Sequence, residues 1–524
     1  MRGKRTGDRG QGTVARTRFK RQALVLILVL IVIVMLSLGA YSFTDLMLAH
    51  HEAAQLTGRQ VQTKALVDTG VERVRLFLMQ TKQARLDGGG VFDNPDLFRG
   101  VTVVPDTDPS ARGSFAVIAP NLDDAGNLGG TRFGLEDEST RLNLNTLLIS
   151  EKTMPDAGRT FLMALPGMTE DVADAILDWL DADDEPRELG AEIDYYSALS
   201  PPYAPKNGPL ETVEELLLVR GVTPQLLFGA DINRNGQLDP HEMTEDGSGG
   251  STGETEYRGW SAYLTLYSME WNVNPDGKQR VYLNQSDLQK LSDELSEVFP
   301  ADWVTYILAY RQGGPYTGTV RSPTPLAGKT LDLTKKAKTP IGQVLELVGG
   351  NVRHTFQGDE TTTIVASPFG PSLIEMGTYM PILMDNVTVN PAPTIPGRIN
   401  INQASATVLA GIPGMTPDVA EQIVSLRDVA PDPGKPARRH ESWLLQEAIV
   451  DMPTMKLLMP FVTCGGDVYR AQVVGYYQGG QAASRSEVIF DATTPLPRLL
   501  FWRDISHLGR GYAVETLGVD FSEE

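Results

Sequence analysis

Cysteine is nearly missing from this 524-residue chain: Cys464 stands alone. An intrachain disulfide is excluded, so burial, metal or partner subunits must hold the fold. Histidine is scarce too. None of His50, His51, His241, His354, His440 and His507 has HExxH spacing, no GxSxG occurs, and Cys464 has no obvious paired base. Paired carboxylates are common in so acidic a chain and single out nothing. The expectation is a non-enzymatic protein.

Basic charge is also in short supply. The net charge is −20, and residues 1–21 carry eight Lys or Arg against Asp8, or +7, which leaves −27 for the rest. Such a surface repels phosphate backbones and anionic headgroups. The length suggests two to four domains, and 51 Gly with 34 Pro indicate many turns rather than a helical array.

Charge is wholly absent from Gln22 to Thr44, QALVLILVLIVIVMLSLGAYSFT. As a helix these residues extend about 34 Å, enough for a hydrocarbon core of about 30 Å. The basic leader before them predicts a cytoplasmic N-terminus and a single-pass inner-membrane anchor, with the bulk of the chain periplasmic. A cleaved signal peptide is the alternative, with Ser37 and Gly39 small enough for a peptidase. Helix is expected to continue, since Asp45 to Gln80 lacks proline and Val67, Val71, Val74 and Leu78 form one apolar stripe. Gly58 and Gly70 are marked as bends.

Between Asp87 and Glu136 short apolar runs alternate with turns, which predicts several edge-type strands with loops at Asn94-Pro95 and Asp123–Gly126. An internal repeat follows. RLNLN from Arg141 leads to LPGMTEDVADAILDWL, and RININ from Arg398 leads to IPGMTPDVAEQIVSL. Thr169 and Thr416 are predicted N-caps, with acids in the first turns. A weaker third copy starts at Leu291. These modules resemble helix-hairpin-helix or SAM-like units, but threonine replaces the second glycine of the turn, and Glu170, Asp171 and Asp418 would face a bound phosphate. No nucleic acid is expected.

WLDADDEPRELGAEIDYYSALSPPYAPKNGPLETVEELLLVRGV follows the first module, and Asp137-Glu138-Ser139 precedes RLNLN. With these segments the chain resembles the minor pseudopilin K family of type II secretion (general secretion pathway protein K). The resemblance implies an α+β fold: a long N-terminal transmembrane helix and a pilin-like α/antiparallel-β domain with large helical SAM-like insertions. It also implies a place at the pseudopilus tip in protein export. Expected partners are other minor pseudopilins, the major pseudopilin, the inner membrane and secreted substrate proteins. The chain departs from the family in having Gln22 where a prepilin-peptidase glycine is usual. Cleavage after Gln22 would make Ile27 the fifth mature residue, where pilins generally carry glutamate; as in the K family, no carboxylate is then offered to a subunit ahead, which suits the tip.

The expected segments are a leader at 1–22, a transmembrane and amphipathic helix at 23–82, a strand-rich part at 83–135 and a first helical module at 136–230. A calcium loop and linker at 231–255, a mixed region at 256–397, a second module at 398–465 and a C-terminal β part at 466–524 complete the chain. Strands are expected at 262–268, 362–367, 381–389, 469–477, 486–491 and 498–504, and linkers at TVNPAPTIPG and DVAPDPGKPARRH.

DINRNGQLDPHE matches an EF-hand loop. Asp231, Asn233, Asn235, the carbonyl of Gln237, Asp239 and Glu242 are candidate Ca²⁺ ligands, with Gly236 at the sharp turn. A solvated turn is the alternative. Asp178, Asp181, Asp183, Asp184 and Glu185 read equally as a second ion site or a solvated acidic turn. Two other functional readings stand beside the family one: a membrane-anchored DNA receptor, which would need a basic face, and a calcium-stabilised adhesin.

Overall fold

The computed structural model describes residues 14–237, 239, 242, 258–318, 324–430, 436–480 and 482–518. Its contacts form two units, Met1–Thr63 and Lys64–Glu524, and helix α1, Val14–Leu78, contributes to both. In the first unit the helix is long and apolar enough to cross a membrane, with a mean hydropathy of 3.0 over its most apolar window.

The second unit is built on one antiparallel sheet whose strands come from distant parts of the chain. They are β1 (Val101–Val104), β2 (Gly113–Leu122), β3 (Leu128–Phe133), β4 (Glu136–Asp137), β5 (Val468–Tyr477), β6 (Ala483–Asp491) and β7 (Arg498–Asp504). The order is β1-β2-β5-β6-β7, with β3 on β2 and β4 on β5. Everything from Glu138 to Asp467 is inserted between strands of one sheet. The architecture is α+β.

The valine stripe of α1 covers this sheet. Val67, Val71, Val74 and Leu78 are buried with Phe115, Val117, Val473, Val488 and Phe490. Each such side chain, fully buried, is worth about 1.5–3 kcal/mol. Gly70 is not a bend: α1 runs through it unbroken. A Cβ there would lie 2.5 Å from Val473 Cγ1 and 2.9 Å from Phe115 Cδ2. The glycine is a notch that lets helix and sheet approach closely.

The inserted part shares one core from Leu142 to Val462, and the repeat is visible in it. Leu142–Asn143 pairs in parallel with Leu264–Thr265, and Ile399–Asn400 does the same with Val462–Thr463. Gly167 and Gly414 take φ of +66° and +83° in the two PGMT turns, where glycine avoids the left-handed penalty. Helices α2 (Glu170–Leu180) and α3 (Pro417–Leu426) follow. The modules meet where the rings of Phe161 and Phe461 pack edge to face at 5.9 Å.

The two caps differ. The Thr416 hydroxyl accepts the Val419 N–H at 3.4 Å. Thr169 occupies the N-cap position without such a bond; its hydroxyl serves the Asp171 carboxylate instead. The third copy is a helix pair, Leu288–Ser296 and Ala301–Gly313, turning through Pro300 without the glycine turn.

Two strand expectations fail. Residues 381–386 belong to the helix Leu373–Asn386, and only Val387–Thr388 is extended. Buried Met376, Tyr379, Met380, Leu383 and Met384 have helical spacing, and it prevails over Pro381 inside the helix. Of 262–268, only Leu264–Thr265 is strand. The first expected linker contributes Thr394–Pro396 to a pairing with Met269–Trp271. Part of the second, 431–435, lies outside the described residues.

Candidate functional site

The described residues of the candidate calcium loop hydrogen-bond to one another. The Asp231 carboxylate accepts the N–H groups of Asn235 at 3.1 Å and Gly236 at 2.8 Å. Glu242 closes the loop from the far end, accepting the N–H groups of Asn233 and Asp239, each at 3.1 Å. Arg234 and Gly236 have φ of +54° and +74°, which turns the chain around its centre. Asp239 Oδ2 accepts the side-chain amides of Asn233 at 2.6 Å and Asn235 at 3.1 Å. Gln237 donates its N–H to Asn235 Oδ1 at 2.7 Å. Burial, and then the charge of Glu242, push the Asp231 carboxyl up. Leu238, Pro240 and His241 lie outside the described residues.

The donor set fits a hard cation: three carboxylates, two amides and a main-chain carbonyl, all oxygen. Among the described residues no three His, Cys, Asp or Glu side chains stand together as a metal shell on their own. An ion would therefore need the two asparagine amides turned, so that their oxygens replace the N–H groups now aimed at Asp239.

The loop is fastened to the sheet by its backbone, a feature the motif does not reveal. Four successive carbonyls are held from outside. Arg485 of β6 donates to Asn233 O, and Gln472 of β5 donates to Arg234 O at 2.8 Å. Tyr512 donates to Asn235 O at 3.1 Å, and Arg258 donates to Gly236 O. The Asn235 amide in turn donates to Gly511 O at 2.6 Å.

The acidic cluster after α2 is not a solvated turn at its inner end. Asp178 is fully buried, and Arg187 bridges it to Asp181 and Glu151 at 2.8, 2.6 and 3.0 Å. Gly190 is needed there, because a Cβ would lie 1.8 Å from Asp178 Oδ2. Nearby Glu192 is buried with both carboxylate oxygens lacking a hydrogen-bond partner. Burial, then the charges of Asp178 and Asp181, push it up to about 7. Arg187, Glu151 and Glu192 were missed because their partners are distant or their acidity looked ordinary.

Asp137-Glu138-Ser139 forms the polar junction between sheet and insertion. The Asp137 carboxylate accepts from Ser139 N at 2.8 Å, Asn400 Nδ2 at 2.9 Å and Gly466 N at 2.7 Å. It thus ties both repeats to the start of β5. Burial outweighs these bonds and raises its pKa to about 6. Buried Glu138 accepts from Arg470 Nε at 2.6 Å and from the Thr265 hydroxyl. The two repeat arginines are both paired: Arg141 clasps Glu136 in a bidentate pair at 2.8 and 2.7 Å, and Arg398 reaches Glu441 at 3.0 Å and Glu270. Burial alone would push Glu270 up, but Arg398 and Arg280 hold it down at about 2.

Burial pushes the Cys464 thiol well above its usual value, which starves it of thiolate. His440 is engaged by Asp385 at 2.8 Å.

The class these features define is an α+β protein with an N-terminal helix on an antiparallel sheet and paired helical modules inserted between the strands. Residues 140–228 match the family model for type II secretion system (T2SS) protein K. The chain is 41% identical over 106 residues to "Type II secretion system protein K" of Pseudomonas aeruginosa, covering 19% of this chain and 31% of that protein. It is 30% identical over 115 residues to the protein of the same name from Pectobacterium carotovorum, covering 20% and 34%. These matches span about a third of the length of the curated relatives. The crystal structure of the GspK-GspI-GspJ complex from the enterotoxigenic Escherichia coli type 2 secretion system aligns with a TM-score of 0.36 at 12% identity, covering 87% of this chain and 98% of that one.

Proposed function

We propose that the chain is a non-enzymatic minor pseudopilin of the type II secretion pseudopilus, seated at its tip and taking part in protein export. The observation that carries this reading is the family match over 140–228, the region that holds Arg187, Glu192 and α2. Anchoring in the inner membrane through the apolar part of α1, with a cytoplasmic N-terminus and a periplasmic bulk, agrees with the basic leader. Its partners are other minor pseudopilins and the major pseudopilin, with secreted substrates passing at the tip. Ile27 at the fifth position after Gln22 favours a subunit with nothing ahead of it. The test is complementation: the full chain restores secretion to a strain lacking its own protein K. Normal assembly without restored secretion refutes the export role.

Within this reading the 231–242 loop holds one structural Ca²⁺ through Asp231, Asn233, Asn235, the Gln237 carbonyl, Asp239 and Glu242. The ion neutralises the three carboxylates of the loop and stiffens a segment already fastened by its carbonyls to β5, β6 and Tyr512, and by the Asn235 amide to Gly511. In a chain without disulfides this supplies a cross-link.

A further inference from the structure

The short helix Lys82–Asp87 starts at Thr81, whose hydroxyl accepts the Ala84 N–H at 3.2 Å. Its single turn sets Lys82 and Arg85 three residues apart on one face. Both line a cleft of about 240 Å³ between the sheet and the insertion. A hairpin at 272–280 supplies another wall, its turn held by Asn274 Oδ1, which accepts the N–H groups of Asp276 at 3.1 Å and Lys278 at 2.9 Å. The end of the second repeat motif, RININ, and the 438–441 segment complete it. Charge around this cleft is balanced pair by pair, with one exception. Lys82 meets Asp467 at 2.9 Å, Arg280 meets Glu270 at 3.2 Å, Arg438 meets Asp428 at 2.9 Å and Arg439 meets Asp385 at 3.5 Å. Arg85 is 5% exposed, forms no ion pair among the described residues, and has Nη1 without a hydrogen-bond partner. The Tyr469 ring, 5.7 Å from its guanidinium, offers a π face but no counter-charge.

A second group emerges when the two repeats are compared. In the first, RLNLN ends on Asn145, whose amide grips main chain at both ends: Oδ1 accepts the Leu210 N–H at 2.8 Å, and Nδ2 donates to Leu210 O at 3.0 Å. In the second, RININ ends on Asn402. Its Nδ2 donates to Arg438 O at 3.0 Å, the same main-chain contact. Its Oδ1, however, is buried without a donor among the described residues. Asn402 is 8% exposed and lines the same cleft as Arg85. The position that takes a main-chain N–H in one copy therefore lacks it in the other. A buried guanidinium without a carboxylate and a buried carbonyl without a donor are both costly, and one ligand satisfies both.

We infer that the cleft binds the C-terminal end of a polypeptide, with the terminal carboxylate on Arg85 and the N–H of the last residue on Asn402. The planar guanidinium matches a carboxylate. One carboxylate balances the one unpaired cation, whereas a phosphate dianion brings a surplus negative charge beside Glu270 and Glu441, which also line the cleft. Leu86, Val91 and Val273 give the walls apolar surface for the side chain of that last residue. The volume lies below the roughly 300–1,000 Å³ of sites for drug-sized molecules, which suits a chain end. The inference needs only the cleft and does not depend on the reading of the chain as a pseudopilus subunit.

The test is isothermal titration calorimetry of the full chain in detergent with N-acetyl-leucine, which carries the carboxylate, the N–H and an apolar side chain of a chain end. Saturable binding is expected. N-acetyl-leucinamide, which lacks the carboxylate, 4-methylpentanoate, which lacks the N–H, and inorganic phosphate should each bind at least about tenfold more weakly, the scale of one hydrogen bond to a charged or buried group. Arg85→Gln and Asn402→Ala should each weaken N-acetyl-leucine by about the same factor. If either variant fails to fold, the ligand series on the wild-type chain still decides, because each analogue removes one of the same two contacts. No saturable binding of N-acetyl-leucine, equal binding of any of the three other probes, or undiminished affinity in a folded Arg85→Gln chain overturns the inference.

Discussion

The carboxyl of Asp137 joins both repeats to β5, and its titration gives a stability signal of definite sign. Burial raises it from its ordinary 3.8 to about 6 even though three donors serve it. The folded chain therefore holds this proton over a pH range in which the unfolded chain has released it. Stability from this group is fully present below about pH 4 and is lost as pH rises through about 6. A rise of about two pH units corresponds to about 3 kcal/mol. The perturbation is Asp137→Asn, which removes the proton and keeps the size. Denaturant unfolding of the full chain in detergent, followed by tryptophan fluorescence with chelator present, gives both stabilities from pH 4 to 7. The difference, wild type minus Asp137→Asn, should fall by about 3 kcal/mol across that window. Parallel curves would refute the burial argument. A difference that rises with pH would show that the bonds from Ser139, Asn400 and Gly466 outweigh desolvation.

Two other predictions concern packing and metal. Gly70→Ala should lower the melting temperature despite its helix propensity gain of about 1 kcal/mol, because a Cβ 2.5 Å from Val473 forces overpacking that costs about 1–3 kcal/mol; a raised melting temperature would show that the notch is not needed. Calcium at about 100 times its Kd should add about 2.7 kcal/mol of stability to the full chain in detergent. Glu242→Ala should abolish most of that gain, whereas identical melts with calcium and with chelator would rule the ion out.

Local periodicity made much of the fold legible. The stripe Val67–Leu78 and the strands at 469–477, 486–491 and 498–504 each follow from repeats of 3.6 or 2 within a few residues. The PGMT turns were readable for the same reason, since a glycine at a left-handed position acts locally. What failed was non-local or contested. That β2 pairs with β5, more than three hundred residues away, has no signature in either strand. Pro381 obscured a helix whose buried side chains keep helical spacing. Gly70 looked like a flexible point because its reason, Val473, lies on the far side of the chain. At the loop the motif displayed which residues gather around Asp231, but not the grip of Arg485, Gln472 and Tyr512 on its carbonyls. In the acidic cluster, composition could not distinguish solvated acids from Asp178 clasped by Arg187.

The central claim is that this chain is a tip subunit of the secretion pseudopilus. Immunogold labelling of overproduced pseudopili, with antibody to the exported part, tests it most directly. The account predicts label at one end of each filament. Label distributed along the shaft would contradict it.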